Sequence, residues 1–269
     1  MQSPIASPML RRYFVCPRPN SDAQLRLFCL PYAGGGASVF RSWPQHLPEY
    51  IEMCAIEIPG RGMRMTETLE TNALKLSAGL ADIIEPLLDK PFAFFGHSMG
   101  AMLAFEISLA LKKRLGTTPK HLFASGAPAP QLPRSRPITY NLPEPELIEE
   151  LRRLNGTPPE LLDNPDFRGI MLPLMRADFS AVQTYTYQGG RLDCPVSVFG
   201  GLNDPEVAEE ALAPWKEMTS GPFTRHMFTG DHFFLNTSTR LLCNTITMRL
   251  HSTAGDLFAT VSSRTAGNS

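Results

Sequence analysis

Short apolar runs alternate with amphipathic stretches of helical length along this chain. Residues 25–30, 53–58, 92–95, 121–125 and 196–199 are rich in Phe, Leu, Val or Ile, and each is followed directly by Gly or Pro. They read as buried strands, and 223–228 reads as a last one. Between them, 69–89, 99–114 and 206–219 have the length and patterning of helices. Strands alternating with helices predict an α/β fold with a mostly parallel central sheet flanked by helices. Ligands of such sheets bind beyond the carboxyl ends of the strands, which directs the search for chemistry to those loops.

One region breaks the alternation. Residues 128–173 hold ten of the 25 prolines, yet the segment is patterned rather than linker-like. In 144–154, Leu147, Ile148, Leu151 and Leu154 share a face. Acids occupy its first turn, Arg152 and Arg153 its last, and Gly156 follows, which are start and stop signals that suit the helix dipole. Thr157-Pro158 and Asn164-Pro165 each pair a capping residue with proline at the first helical position, and Phe167, Ile170, Met171 and Leu174 form a further apolar stripe. The expected organisation is a core of 1–127 and 191–252, a helical lid insertion over 128–190, and a frayed, disordered tail over 253–269. A fixed helical subdomain without gating is the alternative for the insertion.

Composition removes several function classes. There are 25 Lys plus Arg against 26 Asp plus Glu in 269 residues, a formal net charge of −1, with 43% hydrophobic residues. That balance offers no basic stripe for nucleic acid and argues against intrinsic disorder. Five scattered cysteines without a C-x-x-C pair fit reduced thiols better than a disulfide framework. Arg11-Arg12 is followed by no apolar h-region, and the apolar stretch 99–111 is interrupted by Glu106 and too short to span a bilayer. The expectation is a soluble, cytoplasmic protein without a membrane partner, in which the glycosylation-like Asn155-Gly-Thr and Asn236-Thr-Ser are chance matches.

The sharpest chemical signal is Gly96-His97-Ser98-Met99-Gly100, set between an apolar strand and a helical pattern. That strand–turn–helix context suits a nucleophilic serine raised on a sharp turn, with glycines where the backbone closes on its neighbours. A serine needs a base and an orienting acid, following it here in the order acid, then histidine. His121 opens a strand at the opposite edge of the sheet, His226 lies within a strand, and His251 ends the last helical pattern. His232, in the loop after 223–228, is at the correct edge and is the expected base. Among the acids, Asp193 precedes its strand and Asp231 adjoins His232 too closely in sequence. Asp204 follows the strand 196–199 and is the expected partner. Capping of a turn ahead of Pro205 is its other reading, and Asp178 and Glu206 are weaker rivals. An oxyanion hole needs two backbone N–H groups: one from Met99, the other from the loop 31–36 with its run Gly34-Gly35-Gly36. No G-K-[ST] or G-x-G-x-x-G accompanies those glycines, so a nucleotide cradle is not expected.

The chain resembles the type II thioesterases, free-standing α/β-hydrolases that serve polyketide and nonribosomal peptide synthetases, and is similar to the animal thioesterase that releases chains from fatty-acid synthase. The matching stretches are Leu-Pro-Tyr-Ala-Gly-Gly-Gly (30–36), Ile-Pro-Gly-Arg-Gly-Met-Arg (58–64), Phe-Phe-Gly-His-Ser-Met-Gly-Ala (94–101), Leu-Asn-Gly-Thr-Pro (154–158), Arg-Ala-Asp-Phe (176–179) and Gly-Asp-His-Phe-Phe-Leu (230–235). Ordinary lipases and esterases do not share 154–158 and 176–179, which makes these the most specific. Leu30 departs from a frequent Phe in the core strand. The resemblance implies a triad of Ser98, Asp204 and His232, an oxyanion hole of the Ala33 and Met99 amides, and a monomer. It also implies a thioester substrate carried on the phosphopantetheine arm of an acyl- or peptidyl-carrier protein, so that the enzyme needs no cofactor of its own. Arg134, Arg136, Arg152, Arg153 and Arg168 near the lid are expected either to meet an acidic carrier or to form a solvated face.

Overall fold

The computed structural model describes residues 8–253, so the tail expected beyond Thr253 lies outside the described residues. Seven strands form one sheet: β1 (Phe14–Val15), β2 (Leu25–Leu30), β3 (Ile51–Ile56), β4 (Phe92–His97), β5 (Leu122–Ser125), β6 (Val196–Gly201) and β7 (Phe223–Phe228). Their order is β1-β3-β2-β4-β5-β6-β7, and every pair is parallel except β1 against β3. The sheet carries a helical layer on each side. The helices are α1 (Pro8–Arg11), α2 (Ala73–Ile84), α3 (Met99–Leu115), α4 (Glu144–Leu154), α5 (Pro159–Leu162), α6 (Pro165–Gln183), α7 (Phe234–Thr237) and α8 (Thr239–Thr253). Leu76 and Leu80 of α2 and Leu103 and Phe105 of α3 join Phe28 and Phe94 in one core. Leu242, Cys243, Ile246 and Leu250 of α8 join Phe40, Trp43 and Phe95 in the other. Burial on both faces explains why the central strands read as continuous apolar runs rather than alternating ones.

The run expected at 53–58 is observed two residues earlier. Glu52 disguises the start of β3, because it is a fully buried charge paired with Arg26 directly across in β2. Arg26 donates to Glu52 Oε2 from Nε and Nη2 at 2.8 and 2.7 Å, and further to Asp89 and the Leu87 carbonyl. The helix expected over 69–89 is α2 followed by a 3-10 turn at Glu85–Leu87. It starts at Ala73 because the Asn72 side chain accepts from the Lys75 N–H. No α-helix forms over 206–219. Two 3-10 turns, Glu209–Ala211 and Ala213–Met218, take its place, with Pro205 and Pro214 each withholding an N–H.

Helices α4 to α6 are interposed between β5 and β6, within the expected insertion, and have a hydrophobic cluster of their own. Leu147, Ile148 and Leu151 of α4 meet Met171, Leu174, Met175 and Phe179 of α6, and Ala33 and Leu69 of the core pack against them. Asn164 caps α6 as expected, accepting from the Asp166 and Phe167 N–H groups. Thr157 caps nothing, since α5 begins at Pro159 after Pro158. Asn155, rather than Gly156, takes the left-handed position that ends α4, at φ 57°. Ile170 leaves the expected stripe and is exposed.

Strand order reverses between β2 and β4: from β2 the chain moves outward to β3, then returns to add β4 on the other side. The crevice of a doubly wound sheet opens at such a point. Here the loops leaving those two strands begin at Pro31 and Ser98.

Candidate active site

Ser98 sits in the turn between β4 and α3 at φ 54°, ψ −116°, a left-handed conformation rare for a residue with a Cβ. Its N–H donates to the Ser125 carbonyl at 2.7 Å, which ties the turn to β5. The two flanking glycines answer to close approach rather than to φ. A Cβ at Gly96 would run into the Gly100 carbonyl, and one at Gly100 into the Leu30 carbonyl. The turn therefore lifts a half-buried hydroxyl above the sheet edge at the start of a 17-residue helix.

His232 follows β7 and Asp204 follows β6, and the two meet: Nδ1 of His232 lies 2.9 Å from Asp204 Oδ2, with the Asp204 side chain fully buried. A carboxylate only accepts, so Nδ1 carries the proton and Nε2 keeps a free lone pair. The other Asp204 oxygen accepts from the Glu206 and Val207 N–H groups at 2.7 and 3.1 Å. Capping and orientation of the histidine thus coexist in one side chain, through different oxygens. Every competing acid is engaged elsewhere. Asp193 pairs with Lys112, Glu206 with Arg136 and Arg153, and Asp231 accepts from the Phe233 N–H. Asp178 accepts from Gly34 and Arg61. The competing histidines are equally remote in role: His121 contacts Ser197, His226 accepts from Arg249, and His251 contacts Tyr50. Burial pushes the His121 ring down to about 3.

The Ala33 and Met99 amides leave the carboxyl ends of adjacent strands, β2 and β4, and neither donates a hydrogen bond among the described residues. Met99 N–H is one of the unsatisfied donors that any helix start presents. The Ser98 hydroxyl and His232 ring form no hydrogen bond with each other in this conformation. The acid–base half of the array is assembled, while the nucleophile–base contact is one that such sites tighten on binding substrate.

His97 is a residue of the site whose contacts motif reading passed over. Its ring is fully buried, with Nε2 2.8 Å from the His232 carbonyl and Nδ1 2.9 Å from Ser125 Oγ. A carbonyl cannot donate, so Nε2 carries the proton and Nδ1 accepts from the serine. Burial, together with the adjacent His232, pushes its pKa well below the ordinary histidine value, which keeps the ring neutral. Tyr32 and Phe234 pack edge-on against it, and Gly126, at φ 57°, is the position where a Cβ would strike the imidazole. The backbone of His232 is therefore held by the residue preceding the serine. The only sequence signal was an imidazole inside an otherwise apolar strand.

Among the described residues, no group of three or more His, Cys, Asp or Glu side chains is placed to hold a metal ion, and no helix is long and apolar enough to cross a membrane. The lid arginines are not a free basic patch. Arg136 and Arg153 pair with Glu206, Arg153 also with Glu150, Arg152 with Asp163 and Glu149, and Arg168 with Glu144. Arg134 donates to the Pro137 carbonyl.

A mostly parallel sheet, a serine on a strained turn after β4 and a histidine–aspartate pair from the ends of β7 and β6 define an α/β-hydrolase. The chain belongs to the thioesterase family: residues 25–250 match the Thioesterase domain. It is 44% identical to the gramicidin S biosynthesis protein GrsT of Aneurinibacillus migulanus, over 84% of this chain and 89% of that one. To the thioesterase PikA5 of Streptomyces venezuelae it is 36% identical, covering 91% and 86%. Among solved structures it superposes on YbtT, a type II thioesterase from the yersiniabactin NRPS/PKS biosynthetic pathway, with a TM-score of 0.82 at 29% identity, covering 90% of this chain and 99% of that one.

Proposed function

We propose that the protein hydrolyses acyl groups from the phosphopantetheine arm of carrier proteins, clearing stalled or aberrant acyl chains from a polyketide or nonribosomal peptide synthetase. The observation that carries the chemistry is the His232–Asp204 pair, tied through the His232 carbonyl to the residue preceding Ser98, with two undonated amides at neighbouring strand ends. His232 Nε2 takes the Ser98 proton as Oγ attacks the thioester carbonyl, and Asp204 stabilises the imidazolium that forms. The developing oxyanion accepts from the Ala33 and Met99 N–H groups. The pantetheine sulfur leaves with the proton held by His232. A water deprotonated by the same ring then attacks the acyl-Ser98 ester, and collapse returns Ser98 and a free acid. No metal or cofactor enters this sequence.

The carrier assignment rests on the family and on the names of GrsT and YbtT, which belong to peptide and mixed assembly lines. The chain is proposed to act as a monomer, as the family resemblance implies. The test presents acetyl-carrier and long-chain acyl-carrier protein to the enzyme and follows release by mass. Rapid release of short chains supports editing. Turnover of long chains alone indicates product release, and turnover confined to simple esters would sink the carrier reading.

A further inference from the structure

Two motifs that the triad does not use meet above the loop carrying the Ala33 amide. Asp178 belongs to the Arg-Ala-Asp-Phe stretch of α6, and Arg61 to the Gly-Arg-Gly loop after β3. The Asp178 carboxylate is buried and accepts from both the Gly34 N–H, at 2.6 Å, and Arg61 Nη2. Arg61, also buried, donates from Nε to the Gly35 carbonyl and from Nη1 to the Pro59 carbonyl, at 2.8 and 2.7 Å. The loop is thus gripped on both sides: the Gly34 N–H by the lid, the Gly35 carbonyl by the core. Its only internal backbone bond is Gly35 N–H to Tyr32 carbonyl. With three successive glycines, and Gly34 at φ 80°, such a loop has little conformational preference of its own. Met175 of α6 lies where a Gly34 Cβ would be, and Ala33 packs against the lid cluster as well as the core. Two contacts from α6, and the packing of the lid cluster on Ala33, therefore converge on a segment of two residues.

We infer that Asp178 is a positioning residue for the Ala33 amide: through Gly34, and with its charge balanced by Arg61, it holds the 31–36 loop so that the oxyanion site is complete only while α6 is seated. The lid then acts on the chemical step and not merely on access. The inference rests on the reading that Ser98 is the nucleophile and Ala33 an oxyanion donor. Removing one partner alone would strand a buried charge, so the test changes both. The D178L/R61M enzyme keeps bulk and neutrality but offers Gly34 no acceptor, whereas D178N/R61Q keeps an acceptor oxygen there. Folded D178L/R61M should lose about tenfold to a hundredfold in kcat with KM nearly unchanged, the signature of an interaction made in the transition state. Its affinity for a tetrahedral-adduct former, an acyl trifluoromethyl ketone, should fall by the same factor. D178N/R61Q should stay within about threefold of wild type on both measures. If the leucine pair does not fold, D178S/R61Q, whose hydroxyl is too short to reach Gly34, makes the same comparison and should show the same loss. Full kcat in a folded acceptor-less variant overturns the inference, as does a kcat loss without loss of ketone affinity. Failure of the underlying reading looks different: wild type and S98A would then turn over alike.

Discussion

Asp204→Asn separates the two tasks that Asp204 performs. Asn Oδ1 can still accept from the Glu206 and Val207 N–H groups, so the turn after β6 should survive. Loss of a cap costs about 1 kcal/mol at most positions, and here the cap is retained. The amide group then replaces the oxygen that faces His232 Nδ1 at 2.9 Å. It donates, so Nδ1 must accept and the ring proton moves to Nε2, the atom that has to receive the Ser98 proton. The same exchange in a serine triad lowers kcat about 10⁴-fold, which is about 5.4 kcal/mol at 1.36 kcal/mol per decade. Rapid-quench measurement of acylation by an acyl-carrier thioester, with circular dichroism to confirm the fold, reads this directly. Asp193→Asn, at the amino edge of β6 and paired with Lys112, serves as the comparison and should acylate normally. An Asp204→Asn enzyme that acylates within tenfold of wild type, or an Asp193→Asn enzyme that fails, would refute the assignment.

Further outcomes follow from the same geometry. His97→Phe removes the donor to the His232 carbonyl and the acceptor for Ser125, and should lower kcat about tenfold or more with KM retained, since it displaces the base rather than the substrate; steady-state kinetics on a folded variant checks this. Stability should fall with acid. His97 and His121 are depressed in the folded state, His121 to about 3, so below about pH 6.5 the unfolded chain binds protons that the native one does not. Each ring then contributes a loss approaching 1.4 kcal/mol per pH unit until its folded pKa is reached. Urea melts between pH 7 and 4 should show that slope, and His121→Phe should reduce it. Glu52→Gln leaves the buried Arg26 guanidinium with Asp89 as its remaining carboxylate partner and should cost about 1–3 kcal/mol in the same melts.

Much of the molecule was legible from pattern and spacing. Strands buried on both faces announce themselves as apolar runs, and chain order with sheet edge singles out His232 and Asp204, which the fold brings to 2.9 Å. What stayed hidden has a common physical origin: polar side chains whose partners are distant in sequence. Glu52 looked like the end of an apolar run because its partner Arg26 lies 26 residues away on the neighbouring strand. Asp178 reads as a weaker rival for the triad acid because its partner Arg61 lies 117 positions away. His97 stands at an x position of G-x-S-x-G, where the motif says nothing of its ring, which holds the His232 carbonyl 135 residues further on. The lid arginines, open between a carrier contact and a solvated face, are paired at the surface instead of free. A count of positive charges along 134–168 cannot show that acids of α4 and the Asp204 turn neutralise them. Residues 206–219 were periodic enough for a helix, but Pro205 and Pro214 limit them to 3-10 turns.

The central claim is that an acyl group passes through Ser98. The enzyme is mixed with an acyl-carrier protein, quenched in acid within the first turnover and digested, and the peptides are analysed by mass. The account predicts one acylated peptide, the one containing Gly96-His97-Ser98-Met99-Gly100, absent from S98A, which should also fail to release the chain. Acyl groups found on another residue, or chain release by S98A at the wild-type rate, would contradict it.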